Sequence, residues 1–406
     1  MSLTDTHRSQ ATRGACAIVG VGQTVLSKAA EDTELELALE ASLEALADAG
    51  VSPDQVDGLL RFGGGFEQVS HAELIRALGI KESTYVAEAP LGGDASGAMV
   101  HHAVAALVSG RASVVLAYRS IKQSGGRRFG RADSAQRGGP PRDEDIVVRG
   151  QQAFLWPYWM MAPAHLFGLW ATRYMAEYDL DKARLDEALA RVALDQRAYA
   201  NRRPGTLMHD RTLTREQYDN ARMIAWPLCL FTICLECDGA AAVVVTTSDR
   251  AAELPTTPAP ILATTQSLQA AYDPGNPFMA DLTAPFPASR AEQLWSDAGV
   301  GPGDVSVAQI YDATSLMTLF GLELYGFLPR GEGWKYLAEY GIGPDSPLPI
   351  NTHGGHLSDG YVQGMTGLVE AVRQFRGTAV NQVPDVSVSF FGTLSGSAVV
   401  LGPVTP

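Results

Sequence analysis

The chain has 406 residues, 46% of them hydrophobic and 19% charged, with 31 Lys+Arg against 45 Asp+Glu and a formal charge of −14. So apolar a composition excludes a disordered chain, and the length predicts two or three lobes around a large core. The acidic balance argues against nucleic-acid binding, and four Cys are too few for a disulfide framework.

The N-terminal MSLTDTHRSQATRGA carries no apolar run of the signal-peptide kind, so a cytoplasmic location is expected. Leu35, Leu39, Leu43 and Leu46 recur at helical spacing, Gly50 stands where a C-cap belongs, and the run from Gly58 to Phe62 reads as a strand. Gly97–Val108 reads as a helix and Gly110–Ala117 as the next strand. Gly20-x-Gly22 lacks the third Gly of a dinucleotide fingerprint and reads as a strand–loop turn. The basic run around Arg127, Arg128 and Arg131 is a solvated loop, a contact for CoA phosphates or a contact for an acidic partner.

From Gly150 to Thr172 no charged residue occurs, and three of the six Trp fall there: Trp156, Trp159 and Trp170. The length would allow a membrane span, but Pro157, Pro163 and the polar Gln151, Gln152 and His165 interrupt it. The remaining readings are a buried core segment, or a ligand wall or subunit contact in which Trp156 and Trp159 touch substrate. Asp181 to Tyr199 resumes an amphipathic helix, and Gly239–Thr246 reads as a buried strand.

A duplication organises the whole. Asp48-Ala-Gly-Val-Ser-Pro-Asp-Gln-Val56 returns 249 residues later as Asp297-Ala-Gly-Val-Gly-Pro-Gly-Asp-Val305, each copy between a helical pattern and a short apolar run. A second helix–strand pair, Gly364–Phe375 and Val386–Phe391, answers the first. The expected division is one half over 1–118 plus 196–255, an inserted loop domain over 119–195, and a second half over 256–406. Alternating helices and strands predict an α/β layered fold.

These halves and their motifs resemble the thiolase superfamily, in its lipid-transfer-protein and sterol carrier protein x branch. The resemblance is carried by Ala17-Ile-Val-Gly-Val-Gly-Gln-Thr24, by Cys234-Leu-Glu-Cys-Asp-Gly-Ala-Ala-Ala242 and by Asn351-Thr-His-Gly-Gly-His-Leu-Ser-Asp-Gly360. It implies a thiolase fold of two homologous α-β-α-β-α halves with an inserted loop domain. It also marks what has changed. Asp94-Ala95-Ser96-Gly97 stands where the family has its nucleophilic Cys, Tyr361 replaces the His of Gly-His-Pro, and Ile310-Tyr311-Asp312 replaces a Val-His-Asp-like strand end. An acyl-cysteine condensation is therefore not expected.

Tyr311 and Tyr361 become the candidate catalytic pair, with Asp94, Asp312, His353, His356 and Asp359 as candidates for lining the pocket or tuning a phenol; Asp94 alternatively caps a helix. The pair resembles that of bacterial steroid side-chain-cleaving aldolases. That likeness implies retro-aldol cleavage of a 17-hydroxy-20-carboxyl-CoA steroid to a 17-ketosteroid and propionyl-CoA, with CoA as part of the substrate and no bound cofactor. It also implies a small OB-fold and zinc-ribbon partner at the acyl-CoA site, around a homodimer core in a heterotetramer. Acid and base are not distinguished within the pair. The spacing of His353, His356 and Asp359 is compatible with a metal, as is the CxxC at Cys234 and Cys237, but register with the family favours pocket lining and packing, and no metal is expected. Two other readings are a divergent thiolase on another thioester and a non-catalytic lipid-acyl-CoA carrier.

Overall fold

A computed structural model describes residues 12–63, 69–89, 93, 95–125, 152–160, 162–267 and 288–404. The strands of the main sheet are β1 Cys16–Gln23, β2 Gly58–Phe62, β3 Tyr85–Ala89, β4 Val114–Lys122, β5 Asp238–Thr247, β6 Ala259–Thr265, β7 Val307–Ile310, β8 Ser389–Gly392 and β9 Ala398–Leu401; Met223–Ala225 and Leu228–Cys229 form a separate two-stranded sheet. The principal helices are α1 Glu34–Ala49, α2 His71–Leu78, α3 Ala95–Val108, α4 Pro163–Glu177, α5 Lys182–Arg202, α6 Ala288–Ala298, α7 Ser315–Leu324 and α8 Met365–Arg376.

The nine strands form one mixed sheet in the order β3-β2-β4-β5-β1-β6-β9-β8-β7. The duplication is visible in that order. Read from its outer side inward, β2-β4-β5-β1 pairs parallel, antiparallel, antiparallel, and β7-β8-β9-β6 repeats the series. The two half-sheets meet through a short antiparallel contact, Ala17 with Pro260 and Ile18 with Ala259. The repeated peptide adopts the same conformation twice. Gly50 and Gly299 end their helices at φ +67° and +66°, and a 3₁₀ turn over Pro53–Gln55 or Pro302–Asp304 leads into β2 or β7.

Layering follows from which helices can bury every side. α3 is rich in Ala, and it packs on β2, β4 and β5 of the first half and on β6 and β9 of the second. α8 packs on β7 and β8, and also on β1 and β5. These two helices form the shared central layer, with α1 on the outer face of the first half-sheet and α6 on that of the second. α1 is entered through a capping box, Thr33 accepting from the Glu36 N–H while the Glu36 carboxylate accepts from the Thr33 N–H.

Two expected boundaries move. β4 does not stop near residue 118: Arg119 to Lys122 stay paired with Ala241 to Asp238, so the sheet of the first half includes them. The polar Arg119, Ser120 and Lys122 hid the continuation of a strand whose earlier members are apolar. α5 runs unbroken across the boundary at 195, with Asp181 as its N-cap. The charge-free run is helical from Pro163, which takes the first helical position where its missing N–H costs nothing. Phe167, Trp170 and Ala171 bury their side chains in the core of the second half, and Trp170 lies between Phe167 and Phe320 at ring distances of 5.6 and 6.4 Å. Among the described residues no helix is long and apolar enough to cross a membrane.

Candidate active site

The site forms where the C-terminal end of β7 meets the loop before α8. Tyr311 follows directly on β7 and its N–H donates to the Gly392 carbonyl at the end of β8. The loop is fastened to the same strand end by Asn351, whose side chain accepts from the Ile310 N–H at 2.8 Å and donates to the Ile310 carbonyl at 2.9 Å. Tyr361 lies further along the loop, its N–H donating to the Cys237 Sγ at 3.1 Å. These anchors bring the two phenol oxygens to 2.5 Å of each other, with both rings buried.

His356 braces the pair. Its ring centroid is 5.2 Å from that of each tyrosine, edge to face. The Gly364 N–H donates to its Nε2 at 2.9 Å, so the ring proton is on Nδ1, 2.6 Å from Asp312 Oδ1. The other Asp312 oxygen accepts from Gln196 at 2.7 Å. Both imidazole nitrogens are thus committed to the protein, which makes His356 a packing and positioning group. Gly355 has φ +58°, and a side chain on it would press onto Gln196 and Asp312.

Two helix starts converge here. Gly364 is the N-cap of α8, and α3 begins at Ala95, just beyond Gly93. A β-carbon on Gly93 would lie 2.1 Å from the Tyr311 hydroxyl oxygen, so only glycine leaves that oxygen room. The Ser96 hydroxyl donates to the Gln363 carbonyl at 2.7 Å and ties the two starts together. The positive ends of two buried helices face the phenol pair, a field that favours negative charge developing there.

Burial holds the Tyr361 phenol well above its ordinary range, with Cys234 adding to the rise. Hydrogen bonds from Tyr311 and from the Gln363 side chain oppose it, as does the positive charge of Arg119. The cysteines are poorly disposed as nucleophiles, since burial also pushes the thiols of Cys234 and Cys237 up. An apolar cavity of about 700 Å³ is lined in part by Phe231, Ile233, Cys234, Leu235 and Leu357, with Arg197 and Arg211 among its polar members; neither tyrosine lines it.

The structure thus gathers Tyr311, Tyr361, Asp312 and His356 at one point. His353 and Asp359 lie in the same loop but face elsewhere. His353 Nδ1 is 3.1 Å from Gln309 Oε1, and Asp359 is ion-paired with Arg203 at 2.8 Å. Burial, the largest influence, raises the Asp359 carboxyl to about 6 against the pull of Arg203. Trp156 is half-buried and Trp159 is 78% exposed; neither belongs to the core cluster that contains Tyr311, Tyr361 and Trp170. Asp94, Arg127, Arg128 and Arg131 lie outside the described residues. Sequence reasoning missed Gln363, Arg119, Gln196 and Gly93. The available signal was a charged residue, Arg119, inside an apolar strand pattern.

Fold and site together define a thiolase-fold protein with a buried phenol pair between the end of β7 and the loop before α8. Comparisons with known proteins agree. Residues 277–400 match the thiolase C-terminal domain-like family. The chain is 38% identical over 380 residues to the 17-hydroxy-3-oxo-4-pregnene-20-carboxyl-CoA lyase of Mycobacterium tuberculosis, covering 92% of this chain and 94% of that one. It is 36% identical over 378 residues to the steroid side-chain-cleaving aldolase of Thermomonospora curvata, covering 92% and 93%. The solved Ltp2-ChsH2(DUF35) aldolase superposes with a TM-score of 0.85 at 35% identity, over 96% of this chain and 98% of that one. The chain belongs to the steroid side-chain-cleaving aldolases of the thiolase superfamily.

Proposed function

We propose that the chain is a carbon–carbon lyase that cleaves a 17-hydroxy-20-carboxyl-CoA steroid by retro-aldol reaction, with Tyr311 and Tyr361 as its catalytic residues. The observation that carries this reading is the buried phenol pair with its oxygens 2.5 Å apart. The reaction needs one proton removed from the C17 hydroxyl and one delivered to the α-carbon. As the C17–C20 bond breaks, its electron pair passes to the thioester enolate, leaving a 17-ketosteroid and, after protonation, propionyl-CoA. Two hydrogen-bonded phenols serve both transfers without a covalent intermediate or a bound cofactor. The facing helix starts favour the enolate charge, and the apolar cavity lined by Cys234 and Leu357 suits a large alicyclic acyl group.

The superposed aldolase is an assembly with a DUF35 protein. We extend that arrangement to this chain: a small OB-fold and zinc-ribbon partner completes the acyl-CoA site, around a homodimer core. Four free cysteines suit a reducing cytoplasm.

The test is product analysis with the partner-bound enzyme. Propionyl-CoA and the 17-ketosteroid are expected from the wild type. Tyr311→Phe and Tyr361→Phe are each expected to lower kcat by about 10²–10⁴. Unchanged turnover in both variants would sink the assignment of the pair.

A further inference from the structure

Two arginines at α5 are buried on different terms. Arg203, just past the end of the helix, is 8% exposed and has Asp359 at 2.8 Å. Arg197, inside the helix, is 6% exposed and has no carboxylate at ion-pair distance among the described residues. Its Nε donates to the Ser358 hydroxyl at 2.9 Å and its Nη1 to the Arg211 carbonyl at 3.0 Å, while its guanidinium lies 5.9 Å from the centre of the Phe231 ring. Nη2 has no hydrogen-bond partner among the described residues. The neighbouring charge is a second cation. Arg211 is exposed and has no ion pair among the described residues. Burial, then the charge of Arg211, lowers the Arg197 pKa to about 10, which leaves it protonated at neutral pH. A buried cation without a counter-charge is costly, and a like charge beside it adds to the cost.

Both guanidinium groups line the 700 Å³ cavity, whose other walls include the apolar Phe231, Ile233, Leu235 and Leu357. That volume is of the size that holds a small-molecule ligand. The cavity shares a wall with the phenol site, since the Cys234 N–H donates to the Ala313 carbonyl at 3.0 Å and the Leu235 N–H to the His356 carbonyl at 2.9 Å. Ser358, which holds Arg197, is on the loop that leads to Tyr361.

We propose that Arg197, with Arg211 beside it, recognises an oxyanion on a ligand whose apolar body lies along the cavity wall. A guanidinium fork matches two oxygens of a phosphate or a carboxylate, and such charge-assisted bonds supply the missing counter-charge. The inference builds on the lyase reading, in which the ligand is the steroid thioester and the oxyanion is a phosphate of its CoA portion. The other source of the same chemistry is the carboxylate of the free steroid acid.

The experiment measures equilibrium dissociation constants by calorimetry on the partner-bound protein, in a Tyr311→Phe background that slows turnover. The probes are the 17-hydroxy-20-carboxyl-CoA steroid, the matching pantetheine thioester without phosphates, and the free steroid acid. Arg197→Met should weaken the oxyanion-bearing ligand by about 10–100-fold, and Arg197→Lys by less. Arg211→Glu changes only an exposed side chain and gives Arg197 an internal carboxylate, so it should weaken the same ligand without lowering the thermal midpoint. Loss for the CoA thioester alone identifies a phosphate; loss for the free acid alone identifies a carboxylate. Unchanged affinities in folded Arg197→Met and Arg211→Glu overturn the proposal. Equal weakening of all probes overturns it too, because the pantetheine thioester carries no oxyanion and its loss marks a packing role. Either result, beside a wild-type complex that cleaves the thioester, leaves the lyase reading standing. A complex that binds as expected and releases no product removes the lyase reading and keeps the recognition.

Discussion

At the scale of single residues, the site is set by what each group is no longer free to do. His356 has both nitrogens occupied and Cys237 has its sulfur facing the Tyr361 amide, so neither is free to reach a substrate. Asp359 shows the energetic side of burial. Its carboxyl is raised from 3.8 to about 6, chiefly by desolvation. Between those values the folded state binds more protons than the unfolded one, so stability from this group is greatest at low pH and falls as pH rises through about 6. Unfolding by denaturant at a series of pH values should show Asp359→Asn losing less stability than wild type across that window. An identical pH slope in the two proteins would contradict the assignment.

At the scale of elements, α4 turns a charge-free run into core. A free-standing apolar segment of this length invites reading as a ligand wall or a membrane span, yet Trp170 is 2% exposed against Phe167 and Phe320. Trp170→Ala should cost about 3–5 kcal/mol, read as a lowered denaturation midpoint. A loss confined to activity would instead mark α4 as a substrate wall. β4 makes the opposite point. It carries Arg119 into the interior because the strand pairs along its whole length with β5, and the guanidinium finds a ring face and an amide there.

At the scale of the molecule, α3 and α8 are each shared by both half-sheets. Neither half can bury its central helix alone. Expressed separately, residues 256–406 should fail to give a cooperative unfolding transition by circular dichroism, because the face of α8 that packs on β1 and β5 would be bare. A cooperative transition from that fragment would show the halves to be independent. The same sharing creates the site. The start of α3 from one half and that of α8 from the other meet around a tyrosine pair supplied wholly by the second.

Much of this was legible in the amino-acid sequence. The repeat at Asp48 and Asp297 specified a duplicated α/β layered fold, because Gly50 and Gly299 fix the same helix stop and the same entry to a parallel strand. Motif register singled out Tyr311 and Tyr361, and the alternation of apolar residues gave most helices. Which candidates converge was not legible. Asp312 and His356 join the pair whereas His353 and Asp359 turn away, although all four sit beside the same motifs. Contacts across 44 or more positions, such as Gln196 on Asp312 or Arg119 on Gln363, leave no local pattern of spacing. Periodicity determines which face of an element is buried; only the packing of the two halves decides which buried polar groups find one another.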